Sequence, residues 1–178
     1  MNDSGKILDG LLVLQHRSGS KKALGLLVKK YHEKLCKHSY WYTKDIDASK
    51  DVVQDCWRII LSKINTLKDP NLFGSWAFRI VTRKSLDHAN KKYKESERLQ
   101  AYYANNNSMD TSEDQEVAVE KLSKTIQLLP ENQQMVLRLF YTENYSLKEI
   151  STILGVSVGT VKSRLFHSRE KLKTILKK

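Results

Sequence analysis

The sequence predicts an all-α chain of two small helical domains joined by a flexible acidic linker, the second domain built around a helix-turn-helix. Three observations carry that prediction. Strand signals are absent apart from short apolar runs, and the two prolines, Pro70 and Pro130, both stand where a helix would begin. Charge is segregated along the chain. Six cations stand against Asp87 alone from Arg79 to Lys94, and seven against Glu170 alone from Lys162 to Lys178, whereas residues 95–120 hold seven carboxylates against Arg98. Finally, residues 102–115 (YYANNNSMDTSEDQ) are polar, include three consecutive Asn and follow no helical or strand period, which is the composition of a linker. The 178 residues suffice for two modest cores. The expected organisation is a first domain over 1–95, a linker over 96–118 and a second domain over 119–178.

In the first domain the spacing predicts helices over 21–42, 48–67 and 73–94, with a short helix before them. The helix over 48–67 carries an inward stripe of Val52, Val53, Cys56, Ile59, Ile60 and Ile64, leaving Asp51, Gln54, Asp55 and Arg58 outside. Acid and amide groups on a basic protein do not suit DNA. That face fits either a partner with a basic surface or a solvated helix side, and the pattern alone leaves both open. The helix over 73–94 starts with Phe73, Trp76, Ala77, Ile80 and Val81 facing inward, and Arg79, Arg83, Lys84 and Asn90 project among and after them. Before it runs a short polar loop, Lys68-Asp-Pro-Asn-Leu-Phe73. A basic helix next to such a loop can seat single-stranded DNA, with flipped bases in pockets and phosphates along the cations.

The second domain reads as three helices joined by tight turns over 129–178. Ser146 and Glu149 form a capping box at the start of the middle helix, Ile150, Ile153 and Leu154 give it an apolar face, and Gly155 ends it. Ser157 then caps a third helix whose stripe is Val158, Val161, Leu165, Leu172 and Ile175. Opposite that stripe lie Thr160, Ser163 and His167, flanked by Gly159, Arg164 and Phe166. Hydroxyls, a guanidinium and a ring suit base edges in a major groove. Lys162, Arg169, Lys171, Lys173, Lys177 and Lys178 fall nearer the rims, where phosphates set affinity. The capping box, the glycine turn and the polar outward triplet distinguish this segment from a merely solvated helical hairpin.

An excess of 31 Lys+Arg over 20 Asp+Glu agrees with a polyanionic partner. Neither basic patch has an apolar face beyond what a core needs, so membrane insertion is not expected. No stretch approaches the roughly 20 apolar residues of a span, residues 1–10 lack a signal-peptide pattern, and the chain is expected in the cytoplasm. Cys36 and Cys56 fall on apolar helix faces. They could meet in the core, but free thiols are expected in a reducing compartment. His32, Cys36 and His38 make only a partial metal set, with no fourth ligand, so neither metal nor cofactor is expected. Asp45, Asp47, Asp51 and Asp55 are spaced for capping and an exposed face rather than for catalysis, and no enzyme activity is expected.

With both halves read, the chain resembles bacterial RNA polymerase sigma factors of the extracytoplasmic-function group. The matching segments are Asp51-Val-Val-Gln-Asp55, Phe73-Gly-Ser-Trp76-Ala-Phe-Arg-Ile80 through Leu86-Asp87-His88, Leu129-Pro130-Glu-Asn-Gln133, and Ser157-Val-Gly-Thr-Val-Lys-Ser-Arg-Leu165 through Arg169-Glu-Lys-Leu172. The resemblance implies a sigma region 2-like domain that docks on the clamp helices of core RNA polymerase through Asp51, Gln54 and Asp55. Its third helix and preceding loop would recognise and melt the downstream promoter element. There a flipped base is expected near Lys68 to Asn71, and backbone contacts from Arg79, Arg83 and Lys84. The region 4-like domain would dock on the polymerase flap and read the upstream element with Thr160, Lys162, Ser163, Arg164, Phe166 and His167. The acidic linker would follow the RNA exit path, mimic RNA there and discourage DNA binding by the isolated chain. An anti-sigma factor is a further partner that the resemblance admits, and no appended regulatory domain is expected. Two departures stand out. His167 replaces the Arg of many relatives, and Cys56-Trp57 replaces a smaller or aromatic pair. A stand-alone helix-turn-helix regulator is the alternative, but it leaves the first domain's acidic face and basic helix without a role.

Overall fold

The computed structural model describes residues 3–100 and 125–176, with side chains from Ser4 to Lys92 and from Thr125 to Ile175. The expected linker therefore lies outside the described residues from 101 onward, and so do Lys177 and Lys178. The chain divides into two compact units, each with its own core. Helices of α, 3-10 and π type are the regular structure of the described residues.

The first unit holds α1 (Asp3–Arg17), α2 (Lys21–Thr43), α3 (Ile46–Lys63), 3-10 turns at Ile64–Thr66 and Pro70–Leu72, and α4 (Phe73–Gln100). Local chemistry sets the boundaries. The Ser20 hydroxyl accepts from the Ala23 N–H at 3.3 Å to start α2, and Lys44, with φ of 52°, ends it. One Asp45 oxygen then accepts from the N–H groups of Asp47 and Ala48, both at 3.0 Å, opening α3. The core comprises Val13 of α1, Leu27, Tyr31 and Leu35 of α2, Val53, Cys56 and Ile60 of α3, and Phe73, Ala77, Phe78 and Val81 of α4. Tyr31 meets Phe73 edge to face at 5.3 Å. Each large side chain buried there contributes about 1.5–3 kcal/mol from removal of apolar surface from water. Two polar pairs in this core join α2 to α4. His38 Nε2 bonds Thr82 Oγ1 at 2.8 Å, and Ser85 Oγ donates to Ser39 Oγ at 2.9 Å.

Several expectations need correction. The short leading helix is a full 15-residue α1, and α4 runs past Lys94 to Gln100. In α3, Ile59 is only half-buried, and Trp57 takes the inward place, its indole N–H donating to His32 Nδ1 at 3.3 Å. In α4, Trp76 and Ile80 are half-buried at the edge of the core, while Phe78, Thr82 and Ser85 point in. The α4 stripe thus turns toward α2, whose His38 and Ser39 offer hydrogen-bond partners that the apolar pattern did not count. Cys56 is buried, whereas Cys36 is half-buried, and the two thiols are unbridged.

The second unit follows from Leu129 and Pro130 into α5 (Glu131–Leu137), which widens into a π-helical stretch at Arg138–Thr142, then α6 (Leu147–Leu154) and α7 (Val158–Leu176). The capping box forms as the spacing requires. Ser146 N–H donates to Glu149 Oε2 at 2.9 Å, and Glu149 N–H donates to Ser146 Oγ at 3.3 Å. Gly155, at φ 68°, supplies the left-handed residue between α6 and α7. Leu129, Met135, Val136, Leu139, Ile150, Ile153, Val161 and Leu165 are buried together with the Ser168 hydroxyl, which donates to the Arg164 carbonyl. The α7 stripe is corrected too. Val158 is 37% exposed, Leu172 and Ile175 are half-buried, and the buried line runs through Val161, Leu165 and Ser168.

Candidate nucleic-acid interface

That shift of the α7 stripe turns the outward face. Lys162, Ser163, Phe166 and His167 are exposed, Phe166 by 61%, and Val158 joins them on the solvent side. Thr160 and Arg164 are half-buried. The Thr160 hydroxyl bonds the Ser157 hydroxyl at 2.9 Å while its N–H donates to the same oxygen at 3.0 Å, so Thr160 belongs to the cap as much as to the face. Val158 is the residue that apolar spacing assigned to the core. Its exposure follows from its place in the first turn, ahead of the buried line. Arg169 stands apart from this outward set: its Nε donates to the Tyr141 hydroxyl at 2.9 Å, and its guanidinium lies over the Phe140 and Tyr141 rings at 5.6 and 5.5 Å. It braces α7 against the π-helical stretch. No sequence signal marked that stretch.

In the first unit, α4 presents Arg79, Arg83 and Lys84 to solvent, with Trp76 and Ile80 half-buried beside them. The face therefore combines cations with partly exposed apolar surface, a mixture suited to unstacked bases as well as phosphates. Lys68 and Asn71 are exposed at its start. The loop between them is ordered by Asp69, whose carboxylate accepts from the Asn71 N–H at 3.0 Å and whose carbonyl accepts from the Leu72 N–H at 3.0 Å. Leu67 is buried below it.

Asp51, Gln54 and Asp55 share the exposed side of α3, and Asp55 pairs with Arg58 at 2.9 Å. Surface pairs of this kind contribute little to stability and leave the carboxylate accessible. Asp45 does not join that face. Donation from the Ala48 N–H, with smaller help from the Asp47 N–H and the Lys92 and His88 charges, holds its carboxyl below the ordinary range against some desolvation. It is a helix cap. Among the described residues no three His, Cys, Asp or Glu side chains come together as a metal set, and no helix is long and apolar enough to cross a membrane.

Comparison with known proteins agrees across both units. Residues 27–95 match Sigma-70 region 2, and residues 120–172 match Sigma-70, region 4. The chain is 29% identical over 179 residues to the ECF RNA polymerase sigma factor SigW of Bacillus subtilis (strain 168), covering 93% of this chain and 95% of that protein. It is 30% identical over 177 residues to the ECF RNA polymerase sigma-E factor of Haemophilus influenzae, covering 93% of each. Among solved structures, the sigma factor RpoE in complex with the anti-sigma factor NepR from Bartonella quintana has the same fold, with a TM-score of 0.67 at 18% identity, over 88% of this chain and 98% of that one. CnrH, solved with the cytosolic domain of CnrY, gives 0.64 at 24% identity over 96% and 97%. Two region models in order, and relatives matched along nearly their whole length, make this chain a member of the extracytoplasmic-function sigma factors of RNA polymerase.

Proposed function

We propose that this sigma factor binds core RNA polymerase through the Asp51, Gln54 and Asp55 face of α3. On this reading it recognises and melts the downstream promoter element with Lys68, Asn71, Arg79, Arg83 and Lys84, and reads the upstream element with Lys162, Ser163, Arg164, Phe166 and His167. Thr160 acts there chiefly by fixing the start of α7, and Val158 joins the reading surface beside Phe166. The first unit spans about 1–95 and the second about 119–178, with the acidic segment over 96–118 between them. The observation that carries this reading is the pair of faces of opposite charge on one small unit: an exposed acid-and-amide patch on α3 and an exposed cationic face on α4. A polymerase docked on one and DNA held on the other account for both. A stand-alone helix-turn-helix regulator needs neither.

In this division of labour the chain supplies binding, base recognition and strand separation, and the polymerase supplies the phosphoryl-transfer chemistry. Clamp helices are the expected seat of α3, and the flap that of the second unit. The work is done at the chromosome, in the cytoplasm. An anti-sigma factor would act by covering these same faces. The test is run-off transcription with core polymerase and genomic fragments, with and without this chain. Discrete transcripts that depend on the chain support the reading. Binding to duplex DNA with no attachment to core polymerase would replace it with the regulator.

A further inference from the structure

Helix α1 lies outside the residues that match region 2, yet it touches the loop assigned to the flipped base at both ends. At the entry, Arg17 Nη2 donates to the Ile64 carbonyl at 2.7 Å and to the Leu67 carbonyl at 2.6 Å. These are charge-assisted bonds to the residues that lead into Lys68. At the exit, the side chain of Asn71 rests on Gly10. A Cβ built at Gly10 would sit 3.1 Å from Asn71 Cγ and 3.4 Å from its N, with the carboxamide oxygen closer still. Only glycine leaves room for that approach.

Helix α1 is itself anchored. Asp9 is fully buried and accepts from the Tyr31 hydroxyl and from Lys30 Nζ, both at 2.5 Å, and Lys30 also donates to the Gly5 carbonyl at 3.1 Å. Val13 and Leu12 are buried along the same helix. Helix α2 thus holds α1, and α1 holds both ends of the loop. Local bonds within the loop are few, namely the Asp69 carboxylate to Asn71 N–H and the Leu72 N–H to Asp69 carbonyl contacts. A base taken out of the stack must find a pocket already in place, because a mobile pocket must be ordered at the moment of binding.

We infer that α1 is a positioning element for downstream-element recognition, with Arg17 and Gly10 as positioning residues that set where Lys68 and Asn71 meet the DNA. This inference rests on the assignment of the loop to the flipped base, and the experiment separates the two. Holoenzyme is reconstituted from core polymerase and the full chain. Open-complex formation is then measured by permanganate reactivity of unpaired thymines, on a promoter found by the run-off assay and on versions carrying each of the four bases at each downstream position. Gly10→Ala favours helix formation, so it alters the loop contact without weakening α1. Both Gly10→Ala and Arg17→Ala are expected to lower open complex on the cognate promoter about tenfold, equivalent to about 1.4 kcal/mol. They are also expected to flatten the base preference, with attachment to core polymerase unchanged. Arg17→Lys, which keeps the cation, should fall between. In an Asn71→Ala background, Gly10→Ala should add no further loss.

Equal loss on all four bases, or an unchanged preference in Gly10→Ala, overturns the positioning role when Asn71→Ala alone flattens the preference. If Asn71→Ala and Lys68→Ala both keep the wild-type preference, the loop assignment fails and the inference falls with it.

Discussion

Burial treats the two thiols of this protein differently. Cys56 is enclosed between α3 and its neighbours, and desolvation pushes its thiol up to about 12, against a smaller opposing pull from Lys84. Cys36 is half-buried and also raised by desolvation, but its sulfur is reachable and lies 3.7 Å from His32 Nε2. Alkylation needs a thiolate that a reagent can touch. Native chain treated with iodoacetamide should therefore label at Cys36, faster as pH rises, while Cys56 labels only after unfolding. Mass spectrometry of the digested protein reads the outcome, and prompt labelling of Cys56 would contradict the packing described. Ser163 is a second residue-level case. It is exposed on α7 within the set proposed to read the upstream element, and its hydroxyl can bond either a donor or an acceptor base edge. Ser163→Ala should change upstream-element preference more than overall affinity, by a factor of about ten at one base position. Binding of holoenzyme to a randomised upstream library measures it.

At the level of elements, short helices depend on their ends. Helix α6 has eight residues, too few to persist alone. Its stability rests on Ile150 and Ile153 in the core and on the reciprocal bonds between Ser146 and Glu149. Ser146→Ala removes the oxygen that accepts the Glu149 N–H. It should cost about 1 kcal/mol, read as a lower denaturant midpoint at unchanged slope. An unchanged midpoint would mean that packing alone holds the turn. Helix α7 shows the complementary case. Its position is set by Val161 and Leu165 on one side and by Arg169 stacked on Phe140 and Tyr141, so the orientation of its exposed face depends on the π-helical stretch that presents those rings.

For the whole molecule the governing fact is the separation of charge. On the proposed reading the cations of α4 and α7 meet DNA with release of counterions, so binding should weaken steeply as salt rises. The exposed carboxylates of α3 carry the opposite sign, and in the proposed reading they meet the polymerase. Asp55→Arg reverses the charge at an exposed site whose partner in this unit is Arg58 at the surface, so the fold should survive. Co-purification with core polymerase should be lost, and binding of promoter fragments by the chain alone should be unchanged or stronger. Retention of the mutant by core polymerase would remove Asp55 from the docking face.

By itself the sequence determined the all-α class, the starts of α2 and α4, the capping box at Ser146, the glycine turn at Gly155 and the exposed sets on α3 and α4. Each of these depends on residues a few positions apart, where spacing and hydrogen-bonding chemistry are sufficient. Family membership was legible for the same reason, since its motifs are local runs. Only the tertiary structure decided that Val158 faces outward while Ser168 is buried, that Trp57 replaces Ile59 in the core, and that Thr160 is tied into a cap. Those outcomes depend on which neighbouring helix stands opposite, and an apolar stripe wide enough to cover a third of a helix does not reveal its own centre. The bonds from Arg17 to Ile64 and Leu67 span 47 and 50 positions. A contact of that length leaves no periodic trace along the chain, because it exists only where the folded backbone brings distant carbonyls to one guanidinium.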